Sequence, residues 1–505
     1  MPRTPLLAAL HDLSPLLGRR RFLRGGATAA GLLATTRFAG LRGALPRGSS
    51  VAIVGAGLAG LTCARRLQQA GVVASVHEAA TRLGGRCRTR RGDFADGQIA
   101  EHGGELIDQS HTAIRHLAQE LGLRLDNQLR AETNGTEAGF YFGGARYPYA
   151  EARADLHALW QPMHRDLVAA GYPTTYATNT DRGRALDAMS LHDWIEATVP
   201  GGLASRLGQL LAVAYEIEYG AAIDDQSALN LLYLLAYSGP GRLRLFGPSN
   251  EKYHVRGGND QLVTGLAASL TTQIRVDERL VALRLLSDGR YRLTFATAAG
   301  PRDDTVDHVV LAVPFAVLAG SVDLAAAGLS PRKRQAIHEL GRGRSGKLNV
   351  QFQTRLWNGL RINGETFSDR GYQATWEVSR GQPGAHGILV NYTGGAIAGG
   401  LVGADPLVRA QVFLGQIEPL LPGASAQWNG RATLDTWHDK PLSACSYSYY
   451  RPGQYVAFGG VEGEREGNVS FCGEHTSQDA QGYLEGAVET GERAAAEVVA
   501  ALRGR

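Results

Sequence analysis

The chain has 505 residues, is 44% hydrophobic, and carries only four cysteines, Cys63, Cys87, Cys445 and Cys472, at wide spacings. It can bury a large core, is too long for one domain of ordinary size, and lacks the cysteine pairing of a metal site or a disulfide framework. The first 50 residues hold eight arginines and one aspartate, while the rest holds 44 basic against 47 acidic residues; the body is near neutral, which excludes nucleic acid as a partner.

Arg19-Arg20-Arg21-Phe22-Leu23-Arg24 precedes GGATAAGLLATT, a mild apolar run of 12 residues ending at Arg37. A membrane-spanning helix needs about 20 residues, so no stable membrane span is expected. The segment resembles a twin-arginine export signal, with Gly18 where serine or threonine is usual. That resemblance implies a signal peptide over 1–45, recognition by the Tat export machinery, and a periplasmic or extracellular protein that folds around its cofactor before export. A basic leader without structure, or an amphipathic anchor, is the alternative.

Val51-Ala52-Ile53-Val54 has the β-branched character of a buried parallel strand. Gly55-Ala56-Gly57-Leu58-Ala59-Gly60 follows, then a helical pattern of Leu58, Leu61, Ala64 and Leu67, then a second strand from Val72 to His77 that ends at Glu78. G-x-G-x-x-G between strand and helix lets a pyrophosphate approach the helix N-terminus, and the acid beyond the next strand accepts hydrogen bonds from a ribose. Ala79 adjoins that acid. Arg82-Leu83-Gly84-Gly85-Arg86 then supplies a second loop over the phosphates.

GAGLAGL…E…LGGR resembles the FAD-binding start of the flavin amine oxidase family, which includes monoamine, polyamine and L-amino-acid oxidases. The C-terminal FCGEHTSQDAQGYLEGAVETGERAAAEV, Phe471 to Val498, resembles that family's second FAD motif. The resemblance implies FAD as cofactor, with Glu474 at the ribityl chain and Tyr483 and Leu484 at the isoalloxazine. It places Gly104 and Glu105 of Glu101–Ile107 beneath the flavin and Val281 at the adenine. The helix opening after Gly482 would direct its positive end at the flavin pyrimidine.

FAD segments recur along the chain, so the expected fold is α/β: a discontinuous Rossmann-like, glutathione-reductase-like FAD-binding domain (50–110, 250–325, 455–505) and a mixed α+β substrate domain (111–249, 326–454). Residues 111–249 read as mostly helical, Ile274–Thr297 as hairpin strands, and VVLAVP (309–314) as a strand returning to the FAD domain.

TWHDKPLSACSYSYYRPGQY, Thr436 to Tyr455, resembles the family segment that passes the flavin face. It offers Trp437 and Tyr447 as catalytic-pocket aromatics beside Tyr483. Cys445 stands where monoamine oxidases bond their flavin; a covalent link and a buried cysteine acting as a small hydrophobe are the two readings. Ser446 stands where the family's second cage tyrosine belongs, and strand alternation would send Tyr447 to the opposite face. The family lysine that holds a water at flavin N5 is expected near Ser321-Val322. It is absent there: the lysines are Lys252, Lys333, Lys347 and Lys440, with Lys347 read as a structural residue opening KLNVQF. Leu106 stands where L-amino-acid oxidases carry a carboxylate-binding arginine, although Arg370 or Arg380 could reach the pocket, and Glu377 could favour a cationic side chain.

The expected function is an FAD-dependent amine oxidase, moving a hydride equivalent from an amine to flavin to give an imine and then an aldehyde. The alternatives are an L-amino-acid oxidase or dehydrogenase on the same fold, with an amino acid as substrate, a lipid or pigment desaturase sharing the FAD motifs, and a non-catalytic flavin-binding protein. No metal is expected, and association as a homodimer is left open.

Overall fold

The computed structural model describes residues 49–240 and 243–504; the twin-arginine segment lies outside them. Five parallel strands form the nucleotide unit in the order Val469–Phe471, His308–Leu311, Val51–Val54, Ser75–His77, Ile274–Arg275. Ile53 stands opposite Val310 on one side and Val76 on the other. The fully buried VAIV strand is covered on both faces, as its unbroken apolar run demands. Helix Leu58–Gln69 buries Leu58, Leu61, Ala64 and Leu67 along one face. It packs on the terminal helix Leu484–Leu502, and Gly491 permits the approach: a Cβ there would stand 2.4 Å from the Ala59 carbonyl oxygen. The Arg66 guanidinium ties the pair together, bonding Glu120 (2.6 and 2.9 Å) and Glu492 (2.7 Å).

The second strand begins at Ser75 rather than Val72, because the Val72 amide bonds back to Leu67 O and closes the helix end. The stretch read as hairpin strands divides. Ile274–Arg275 joins the parallel sheet, while Arg279–Leu285 and Tyr291–Thr297 pair antiparallel and continue to Gly300–Val306.

A second, seven-stranded sheet runs Trp428–Thr436, Ser345–Phe352, Gly387–Gly394, Gln373–Glu377, Ile362–Ser368, Glu137–Phe142, Ala145–Tyr147. Two of these strands come from the region read as mostly helical: GFYF and ARY pair through Phe140 and Tyr147 across a Gly143-Gly144 turn. Helices Tyr149–Ala170, Arg206–Tyr219 and Ala228–Leu235 supply the remaining wall. Arg206–Tyr219 is capped by Ser205, whose hydroxyl accepts from the Gly208 amide, and ends at Gly220 in the left-handed region. Its last turn therefore stops at the boundary between the two sheets and presents Ile217, Glu218 and Tyr219 to the space there. Among the described residues no helix is long and apolar enough to cross a membrane.

Candidate active site

A cavity of about 1250 Å³ lies between the nucleotide unit and the seven-stranded sheet. That exceeds the usual volume for one small ligand, roughly 300–1,000 Å³.

At the nucleotide end the cavity is lined by Gly55, Gly57, Leu58, Ala59, Glu78, Ala79, Gly85, Arg86, Gly104, Glu105, Glu474, Tyr483 and Leu484, which the sequence had assigned to the cofactor. Gly60 lies behind this surface: a Cβ would stand 2.0 Å from Gly55 O, so glycine lets the helix close onto the turn. Val281 is absent from the lining, and its neighbours Arg279 and Leu280 reach the cavity instead. The Glu78 carboxylate accepts from the amides of Ala56 and Ala80, both at 2.8 Å, which fixes the acid at the turn. Glu474 accepts from Ser448 Oγ (2.9 Å), the Gly482 amide (2.9 Å) and Arg86 (3.1 Å). Burial would raise its pKa, but the adjacent Arg86 guanidinium holds the carboxyl below its ordinary value.

These residues fit FAD on three observations of the structure. Helices Leu58–Gln69 and Leu484–Leu502 both begin at the cavity with no side-chain cap, leaving first-turn amides for an anion or a developing negative charge. A Cβ on Gly57 would meet nothing within 4 Å, so the backbone there faces open space. Gln481, only 2% exposed and on the cavity wall, has neither its amide nitrogen nor its oxygen bonded. A buried amide with no partner calls for a polar ligand. Gln481 escaped the sequence reading, although it lies inside the C-terminal motif two residues before Tyr483.

The flavin-face segment differs from the strand expected of it. Regular pairing is confined to Ser448–Tyr449, and Ala444 sits at φ 55. Alternation therefore does not govern 445–447, and both Ser446 and Tyr447 line the cavity. Tyr447 packs against Gly482, beside Tyr483: a Cβ on Gly482 would be 3.8 Å from the Tyr447 ring. The Tyr447 hydroxyl donates to Ile217 O (2.7 Å) and meets Ser345 Oγ (3.0 Å) and Tyr392 (2.9 Å). The Tyr483 hydroxyl donates to Glu218 (2.6 Å), and its ring meets His111 edge-on at 5.5 Å. Trp437 lines the cavity and donates to His102 O (2.8 Å). Cys445 is buried outside the lining, and burial pushes its thiol up to about 11.

Lys347, read as structural, lies on the cavity wall. Its Nζ contacts Glu105 (2.5 Å) and Gly103 O (3.2 Å), and the other Glu105 oxygen accepts from Trp376 Nε1 (3.1 Å). The sequence did carry a signal: a lone lysine in the strand SGKLNVQF, every position of which is buried.

Leu106 also lines the cavity. Arg370 does not; it bonds Gln416 O at 3.0 Å. Arg380 does, but it is engaged by Glu132 (3.3 Å) and Asn363 O (2.7 Å). Glu377 is held by Arg355 (2.8 Å) and Trp357 (3.0 Å). Among the described residues no cluster of histidine, cysteine and carboxylate side chains could hold a metal.

The family model of the flavin containing amine oxidoreductases matches residues 58–499. A Mycobacterium tuberculosis protein whose assigned name is flavin-containing monoamine oxidase AofH is 28% identical over 475 residues, 90% of this chain and 97% of its own length. Amine oxidase [flavin-containing] A of Sus scrofa is 25% identical over 475 residues, 90% of this chain and 85% of its own. In fold, the cyclohexylamine oxidase from Brevibacterium oxydans superposes with a TM-score of 0.78 at 20% identity, covering 90% of this chain and 99% of that one. The chain belongs to the flavin-containing amine oxidoreductase family. It is an FAD-dependent oxidoreductase acting on amine donors.

Proposed function

We propose that the substrate is a plain amine rather than an amino acid, bound between Tyr447 and Tyr483 and oxidised at its α-carbon to an imine, which water hydrolyses to an aldehyde. FAD, when bound, would supply the acceptor for the hydride equivalent, with oxygen as the terminal oxidant. Tyr483, fixed by Glu218 and the His111 edge, orients the amine from one side. Tyr447, fixed by Ile217 O and Tyr392, orients it from the other. Aromatic walls exclude water from the reacting carbon. Lys347 stands at the floor of the site, where its ammonium can hold a water and deliver a proton during reoxidation. Trp437 closes the cavity near Gly103.

The observation that carries this reading is Leu106 on the cavity wall together with an Arg380 already neutralised by Glu132. A substrate carboxylate needs a free, bidentate guanidinium. The second reading, an L-amino-acid oxidase, rests on Arg244, an exposed arginine on the same wall. Anaerobic bleaching of the bound flavin decides between them, using L-amino acids paired with the amines formed by their decarboxylation. Bleaching by the amines alone is expected; bleaching by the amino acids alone transfers the assignment to the second reading.

For residues 1–45 we propose twin-arginine export of the folded flavoprotein. Replacing Arg19 and Arg20 by lysine should retain active enzyme inside the cell, and undiminished export of that variant refutes the proposal.

A further inference from the structure

Gly103 and Gly104 bring one carboxylate to the floor of the site. A Cβ on Gly103 would stand 2.1 Å from Arg86 O, and one on Gly104 would stand 2.7 Å from Leu484 Cδ2. Glycine lets the segment run close between the Arg86 loop and the start of the terminal helix, and Glu105 is the first side chain beyond it. Asn259 Nδ2 fixes the backbone there, donating to Gly104 O (3.1 Å) and Glu105 O (2.7 Å).

Glu105 and Lys347 both line the cavity, and each side chain is only 7% exposed. One Glu105 oxygen meets Lys347 Nζ at 2.5 Å; the other accepts from Trp376 Nε1 at 3.1 Å. The Trp376 ring meets Tyr392 at 5.0 Å, and the Tyr392 hydroxyl meets that of Tyr447 at 2.9 Å. The carboxylate is therefore held from the side of Tyr447 as well as by the lysine. Lys347 spends a second donor on Gly103 O (3.2 Å). The neighbouring charges are matched among themselves. Asp435, the cross-strand partner of Lys347, is bonded by Arg90 (2.8 and 3.1 Å) and His102 (2.7 Å). His254, which both Glu105 and Lys347 influence, is bonded to Glu101 (2.8 Å). Among the described residues Glu105 is the carboxylate in contact with Lys347. A reduced flavin carries more negative charge than an oxidised one, and a nearby cation stabilises it. A cation already offset by a carboxylate does so far less.

We infer that Glu105 is a positioning residue for electron transfer: it pins the Lys347 ammonium at the floor of the site and offsets its charge, so that a neutral pair, not a bare cation, faces the bound flavin and keeps it a weaker oxidant than the lysine alone would make it. This rests on Lys347 standing at the floor as read above, and it holds whether the substrate is an amine or an amino acid. Two electrons still pass from substrate to flavin and on to oxygen; Glu105 sets how strongly they are drawn at the first transfer.

The test is the midpoint potential of the flavin in the holoenzyme, titrated anaerobically against a reference dye at mildly acidic pH, where lysine carries its charge. Glu105→Gln leaves the ammonium uncompensated and is expected to favour reduction by about tenfold, the order of one unpaired charge nearby, or about 30 mV for a two-electron couple. The double variant Glu105→Gln with Lys347→Met leaves no buried charge unpaired, so it serves even if the single variant fails to fold. Its potential is expected to match the wild type. A potential unmoved by Glu105→Gln overturns the inference, because a merely structural role lowers flavin occupancy or stability and leaves the potential alone. A double variant whose flavin is clearly harder to reduce also overturns it, since Lys347 would then act as a bare cation in the wild type. If Lys347→Met is reoxidised by oxygen at the wild-type rate, the reading of Lys347 fails first and takes the inference with it.

Discussion

The two ends of the cavity treat charge in opposite ways. At the nucleotide end every key carboxylate is satisfied within the protein: Glu78 by two backbone amides, Glu474 by Arg86, Ser448 and Gly482. What remains open there is donor capacity, the uncapped helix starts and Gln481. At the far end Lys347 and Arg380 are held by Glu105 and Glu132, and further carboxylates, Glu218, Glu251 and Glu365, line the wall. The nucleotide end thus leaves donors open for an anionic cofactor, whereas the far end pairs its lysine and arginine with acids of its own. Open capacity, rather than the mere presence of charged residues, distinguishes a binding wall from a structural one.

The largest effect should follow from breaking the nucleotide end. Gly60→Val drives its side chain into Gly55 O, which even a Cβ would approach to 2.0 Å; flavin absorbance per mole of purified protein should fall to background. Next, Lys347→Met separates the floor of the site from both ends. Reoxidation of the reduced flavin by oxygen, followed by stopped flow, should slow by about 100-fold. Stability should drop by about 3 kcal/mol, because Glu105 is left buried without its cation.

The smallest effect concerns Cys445, which lies outside the cavity lining: acid precipitation should leave the flavin in the supernatant, and a yellow pellet would show a covalent bond.

The nucleotide end was readable because its residues are contiguous. Gly55 to Glu78 and Phe471 to Leu484 each carry turn, helix start and acid within a single motif, and local chain geometry determines their placement. The far end joins Glu218, Glu251 and Glu365, separated in sequence and united only by a helix end, a gripped loop and a shifted strand. Neither periodicity nor spacing encodes such a meeting. A lysine was sought only after the strand His308–Leu311, whereas Lys347 reaches the cavity from the neighbouring sheet. Tyr447 was sent to the wrong face because a strand was assumed where the backbone turns through Ala444.

The parallel sheet also sets an order of events during synthesis. Its central strand, Val51–Val54, is synthesised first, its neighbour His308–Leu311 much later, and its edge Val469–Phe471 later again. The helix that covers Leu58–Gln69 and carries the second uncapped start, Leu484–Leu502, follows that edge strand. The cofactor cradle therefore stays incomplete until both of its distant motifs have left the ribosome, and a nascent chain that lacks Leu484–Leu502 cannot retain flavin.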